Sequence, residues 1–145
     1  MDILDQDALT QSAALERGDI SAVELMHATL DRIGAVNDAV NAIVSLAAPD
    51  QLLQKARAAD DAPRGGWLHG IPIAIKDLAN VQGMRTTMGS PLFADNVAQA
   101  DDLMVARLKA AGALIIGKTN TPEFGLGSHT FNPVHGTTYN AYDQS

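Results

Sequence analysis

Lys76 is the residue in this chain best placed to do chemistry. It closes the run Gly70-Ile71-Pro72-Ile73-Ala74-Ile75-Lys76-Asp77, which is apolar enough to be a buried strand. Burial disfavours an ammonium and lowers its pKa, and a lysine that becomes neutral near pH 7 can accept a proton as a general base. The competing reading is that Lys76 only marks where the strand surfaces, because lysines are seldom buried. Lys118 ends a second apolar run, residues 113–117, so either lysine could serve a site. Residues 119–133 follow, rich in glycine, proline and hydroxyl side chains and without clear periodicity. Such a backbone can approach a ligand closely and offer amide donors, or it can be an ordinary surface loop.

Other chemistries find little support. Gly125-Leu126-Gly127 lacks the third glycine of a dinucleotide fingerprint and precedes no recognisable helix. Gly117-Lys118-Thr119 has the ending of a phosphate loop, but Ala113 stands where its first glycine belongs. His69, His129 and His135 are too widely spread for a familiar zinc pattern, and His27 has no ligand partner at helical spacing. No Gly-x-Ser-x-Gly elbow occurs. No metal or cofactor is expected.

The 145 residues are 46% hydrophobic and 19% charged, the composition of an ordinary globular chain rather than a disordered one. Ten basic against seventeen acidic residues give a net charge of -7, which argues against a nucleic-acid or anionic-membrane surface. Without cysteine the chain has no disulfide, thiolate metal site or cysteine nucleophile. The acidic start Met1-Asp2-Ile3-Leu4-Asp5 is unlike a signal peptide, and no apolar run approaches the roughly 20 residues of a membrane helix. These features favour a soluble, cytoplasmic protein.

The elements that must position Lys76 follow from periodicity. Residues 7–17 form a helix stopped by Gly18, and Ser21-Ala22-Val23-Glu24 is a capping box for a second. Ala22, Leu25, Met26, Thr29, Leu30, Ile33 and Val36 share one face of that second helix, which Asn37 and Asp38 are expected to end. A strand over 41–46, a helix from Pro49 to about Ala59 and a polar loop over 60–66 come next. Strands at 71–75 and 113–117 flank a helix capped by Asp101 or Asp102, with Met104, Leu108 and Ala111 on one face and Gly112 as its stop. Short all-apolar strands joined through a helix imply an α/β fold whose parallel sheet is covered on both faces and holds ligands at the strands' carboxyl ends.

Residues 68–77 (LHGIPIAIKD), 85–90 (RTTMGS), 105–124 (VARLKAAGALIIGKTNTPEF) and 132–143 resemble, in order and spacing, the amidase signature family. The opening of the second helix, ISAVEL at 20–25, looks like that family's N-terminal region as well. The resemblance implies helices packed on a mixed, largely parallel central sheet, and hydrolysis of the C–N bond of carboxylic amides by a serine, a second serine in a cis peptide linkage and a lysine. It assigns the catalytic lysine to Lys76, places Gly127 and Ser128 in a substrate-lining loop, and gives Lys118 a family position that is not the catalytic one. In that scheme the neutral amine takes a proton from the bridging serine, which deprotonates the nucleophile.

The family's GGSSGG segment would begin only after Ser145, so both serines and the usual oxyanion-hole amides are expected outside these residues. Nothing makes Ser90, Ser128 or Ser145 the nucleophile. We therefore expect residues 1–145 to be the N-terminal portion of a single amidase domain, a helical region over about 1–60 and the start of the α/β core over about 67–145, inactive by itself. A small-molecule amide is the expected partner, with neither nucleic acid nor membrane, and a homodimer of the full-length form is left open. His135 replaces the family's aromatic in NPxFG, where packing is its expected role, and Ala141 replaces the proline of NPWD or NPYD. The alternatives are the glutaminase component of a tRNA-dependent amidotransferase, whose loop reads TNMDEF rather than TNTPEF, and a non-catalytic remnant that binds a partner.

Overall fold

The computed structural model describes residues 2–144; Ser145 lies outside them. Two helices begin the chain. Asp7 accepts the Thr10 amide at 2.8 Å to start α1 (Ala8–Arg17), and Gly18 closes it with φ 72°. Ser21 and Glu24 make the full capping box of α2 (Ala22–Val40), and Asp60 adds a second carboxylate there, accepting from the Ala22 and Val23 amides at 2.7 and 3.1 Å. An anion against exposed helical N–H groups is favoured by both hydrogen bonding and the helix dipole. Leu25 and Met26 are fully buried, each side chain contributing about 1.5–3 kcal/mol. Val36, assigned to the same face, is exposed because the stripe drifts off its neighbours by the last turns.

The helix also outruns Asn37 and Asp38. It ends at Asn41 in the left-handed region, φ 54°, while the Asn37 carboxamide accepts the Ala42 and Ile43 amides and so steers the chain into β1 (Ile43–Leu46). Asparagine tolerates that backbone better than most residues. After β1 come α3 (Pro49–Asp61), β2 (Pro72–Lys76), α4 (Leu103–Ala110) and β3 (Leu114–Thr119), then the short hairpin strands β4 (Phe131–Asn132) and β5 (Gly136–Thr137).

Among the described residues the main sheet has the order β1-β3-β2, with β3 parallel to β2 and antiparallel to β1. It is thus a mixed sheet, as the resemblance implied. Alternation along β2 and β3 sends side chains to opposite faces. Ile75 and Ile115 join Leu68, Val81 and Val105 of α4 on one side, whereas Ile116 joins Met26, Leu52 and Ala56 of α2 and α3 on the other. On α4 Val105 is buried in the core and Leu108 packs against it, with Ala111 just beyond, as expected of the last two, whereas Met104 is turned out beside Leu103. Asp102 occupies the helix's N-cap position, but its carboxylate accepts from Asn80 rather than from the first turn.

Two close approaches set the spacing of these layers. Gly112 has φ 95°, and a Cβ there would stand 2.6 Å from the His69 Cα. At Gly117 a Cβ would meet the Ser45 carbonyl oxygen at 2.4 Å, so only glycine lets β1 lie against β3. Gly117→Ala is expected to lower stability by about 1–3 kcal/mol, read as a shift of the urea midpoint with an unchanged slope.

Candidate active site

The carboxyl ends of β2 and β3 differ from the sequence reading in one decisive respect. Lys76 is the last residue of β2, paired with Thr119, and its side chain is exposed. Lys118 lies within β3 rather than after it, and it is the largest fully buried side chain among the described residues. The dry amine expected at position 76 is therefore at position 118. An irregularity in the pairing explains this: Ile73 stands against Ile115 but Ala74 against Gly117, so Ile116 is skipped and Lys118 comes opposite the buried Ile75, while Lys76, one residue further along β2, points the other way.

Burial does not make Lys118 a base. Its ammonium spends its three protons on Asp77 Oδ1 at 3.1 Å, the Ala79 carbonyl at 2.8 Å and Thr86 Oγ1 at 2.8 Å. Carboxylate and carbonyl can only accept, and the Thr86 hydroxyl gives its own hydrogen to the Met84 carbonyl at 3.5 Å, so all three bonds call for the charged amine. Desolvation lowers the Lys118 pKa from its ordinary value, while the hydrogen bond and charge of Asp77, then the charge of Asp102, oppose it. We read this lysine as a buried structural cation.

Asp77 is the other half of the pair, 1% exposed at its side chain. Besides Lys118 it accepts the Thr87 amide at 3.2 and 3.1 Å and the Thr87 hydroxyl at 2.5 Å. His135 approaches from the β4–β5 hairpin, its Nε2 3.1 Å from Thr87 Oγ1 and 3.4 Å from Asp77 Oδ2. The expectation of a packing role for His135 thus gives way to a polar one. Nothing in the sequence signalled it except the replacement of an aromatic by a residue that can hydrogen-bond. Burial lowers the His135 pKa below its usual value; the charge of Asp77 opposes this and that of Arg85 adds to it.

Gly127 and Ser128 are exposed and line an open cavity of about 380 Å³ with Pro122, Glu123, His129 and Phe131. Lys76 is not among its lining residues. The loop is anchored behind them by asparagines: the Asn132 carboxamide donates to Asn120 Oδ1 and the Thr121 carbonyl at 2.7 and 2.8 Å, and Asn120 donates to the Gly136 carbonyl at 3.1 Å. The remaining histidine of interest, His69, receives the Gly65 amide on Nδ1 and contacts the Ala59 carbonyl through Nε2, joining the end of α3 to the following loop. Among the described residues no helix is long and apolar enough to cross a membrane.

A two-sided mixed sheet with an exposed lysine at one strand end, a buried Lys-Asp pair behind it and a glycine-rich loop beyond defines an α/β protein with its candidate site at the strands' carboxyl edge. Residues 24–145 match the family described as Amidase, and the chain belongs to that family. It is 44% identical over 140 residues to an indoleacetamide hydrolase of Bradyrhizobium diazoefficiens, covering 94% of this chain and 26% of that one. It is also 38% identical over 146 residues to one subunit of the glutamyl-tRNA(Gln) amidotransferase of Mycobacteroides abscessus, covering 98% and 30%. Among solved structures, 6-aminohexanoate cyclic dimer hydrolase with bound substrate superposes with a TM-score of 0.86 at 31% identity, over 99% of this chain and 29% of that one. The chain spans less than a third of the length of these relatives.

Two outcomes follow from the electrostatics. Lys118→Met leaves a buried carboxylate without its cation and is expected to lose about 3–5 kcal/mol in urea unfolding, against under about 0.5 kcal/mol for Lys76→Ala at the surface. For His135 the folded-state pKa lies below the unfolded one, so between the two the unfolded chain binds more protons and stability rises with pH. Stability should therefore fall as pH drops from about 6.5 through the folded-state value and level off beneath it as far as this group is concerned, a loss that His135→Gln removes from the urea midpoint profile.

Proposed function

We propose that the chain is the N-terminal portion of a single amidase domain hydrolysing the C–N bond of a carboxylic amide, with Lys76 as its proton-transferring lysine. The carrying observation is the contrast between the two amines. Lys118 is held by three acceptors, whereas the Lys76 side chain, among the described residues, makes no hydrogen bond or ion pair and stands at the open carboxyl edge of β2. An amine that must accept a proton from a hydroxyl needs that freedom. The nucleophilic and bridging serines, and the covering that dries the amine, are assigned to residues beyond these 145. There the bridging serine would pass its proton to Lys76 while deprotonating the nucleophile that attacks the amide carbon.

Gly127 and Ser128 are assigned to the substrate side, where the cavity they line presents both backbone and a hydroxyl group. The similarity to an indoleacetamide hydrolase supports a small-molecule amide substrate. The net charge of -7 supports a role without nucleic acid or anionic membranes, and the lack of cysteine with the acidic start of the chain supports the cytoplasm. The glutaminase reading draws on the similarity to the amidotransferase, but Thr121-Pro122 in the loop favours a stand-alone amidase. Homodimerisation of the full-length protein remains part of this proposal.

The test is ammonia release by the full-length protein from a panel of aliphatic carboxamides, aromatic carboxamides and glutamine, the last with and without candidate partner proteins. Turnover of the carboxamides with Lys76→Ala reduced about 10³-fold or more supports the reading. Wild-type rates in that variant, or turnover of glutamine alone, overturn it.

A further inference from the structure

We infer that His135 is a positioning residue for Lys76, acting through the Thr87 hydroxyl and Asp77. The inference rests on the reading of Lys76 as the proton-transferring amine, but its geometric part stands apart from it.

The proton positions follow from counting. The Thr87 hydroxyl has one hydrogen, and it goes to Asp77 Oδ2 at 2.5 Å, since an ionised carboxylate only accepts. Thr87 Oγ1 also receives the Gly89 amide at 3.0 Å. Its contact with His135 Nε2 at 3.1 Å therefore requires the imidazole to be the donor. The opposite tautomer would set a nitrogen lone pair 3.4 Å from a carboxylate oxygen and against the hydroxyl's own lone pairs. His135 thus carries its hydrogen on Nε2 and orients the Thr87 hydroxyl toward Asp77.

Both ends of this relay are fixed. The His135 backbone N–H donates to Asn132 Oδ1 at 2.7 Å, its carbonyl accepts from Asn41 Nδ2 at 2.8 Å, and Asn132 is itself tied to Asn120 and Thr121. At the other end, the Asp77 amide donates to the Thr119 carbonyl at 2.9 Å and its carbonyl accepts the Met88 amide at 3.0 Å. Asp77 directly follows Lys76, whose side chain has no hydrogen bond of its own among the described residues. The direction of the Lys76 side chain is accordingly set by its backbone, and the Asp77 carboxylate is the pin that holds that backbone. A phenylalanine at 135 would fill the same volume and supply no N–H, whereas glutamine would keep a donor.

The test uses the full-length protein. Long-range proton–nitrogen NMR of labelled protein should show His135 protonated at Nε2 and bare at Nδ1 at neutral pH; the reverse tautomer overturns the inference. With the best-turned-over amide of the panel above, His135→Phe should lower kcat about tenfold or more with KM within about twofold, the loss of one aligning hydrogen bond. His135→Gln should restore kcat to within about threefold of wild type, and Thr87→Val should reproduce the loss without adding to that of His135→Phe. Unchanged kcat in His135→Phe, failure of glutamine to restore it, or additive losses each overturn the role. If His135→Phe does not fold, the wild-type tautomer and the kcat of Thr87→Val decide. An active Lys76→Ala ends the reading of Lys76 and leaves the tautomer result standing, while an inactive Lys76→Ala beside an unaffected His135→Phe removes only the positioning role.

Discussion

Lys118 and Asp77 face each other across the ends of two parallel strands with 0% and 1% of their side chains exposed. Removing two charges from water is expensive, and the mutual attraction offsets it only where every leftover proton and lone pair is matched. Here the matching is thorough: the ammonium has three acceptors, the carboxylate has the Thr87 amide and hydroxyl, and among the described residues no buried side-chain polar atom lacks a partner. The partners come from several stretches of chain. The strand ends, the turn at Ala79 and the loop at Thr86-Thr87 are thereby held in one arrangement, and the hairpin of His135 is drawn onto it.

Covering both faces of the sheet is what makes such a pair tenable. α2 and α3 seal one side through Met26, Leu52 and Ala56, and α4 with the loops at Leu68 and Val81 seals the other. Gly117 lets β1 approach closely enough to complete the enclosure around the middle strand. Polar rigidity then extends outward through carboxamides: Asn120 and Asn132 tie the glycine-rich loop to the end of β3, and Asn41, at the end of α2, receives the hairpin. The cavity beside Gly127 and Ser128 is lined by an exposed loop that these asparagines hold from behind.

Two lysines at neighbouring strand ends take opposite roles for a simple reason. One is enclosed and fully hydrogen-bonded, which stabilises its charge and consumes its protons. The other is exposed, and its side chain makes no hydrogen bond or ion pair among the described residues. The proposed chemistry at this edge asks for the second kind of amine, and the first kind ties together the strand ends beside it.

Periodicity and capping chemistry alone determined the helices and the two apolar strands of the βαβ unit, because these depend on local spacing: Ser21 with Glu24, Gly18, Pro49 and Gly112 act within a turn or two of themselves, while the amidase-like motifs were legible by resemblance. Which lysine is dry was not local. Lys76 and Lys118 look alike beside their apolar runs, and only strand register and the packing of helices on both faces buried one and left the other outside. The end of α2 was misjudged for the same reason, since Asn37 bonds to β1 rather than stopping the helix. His135 carried no signal beyond an unusual residue in NPxFG; its meaning appears only when the hairpin folds back 48 positions to meet Thr87. Side-chain identity thus sets what a group can donate or accept, and tertiary structure decides what stands opposite it.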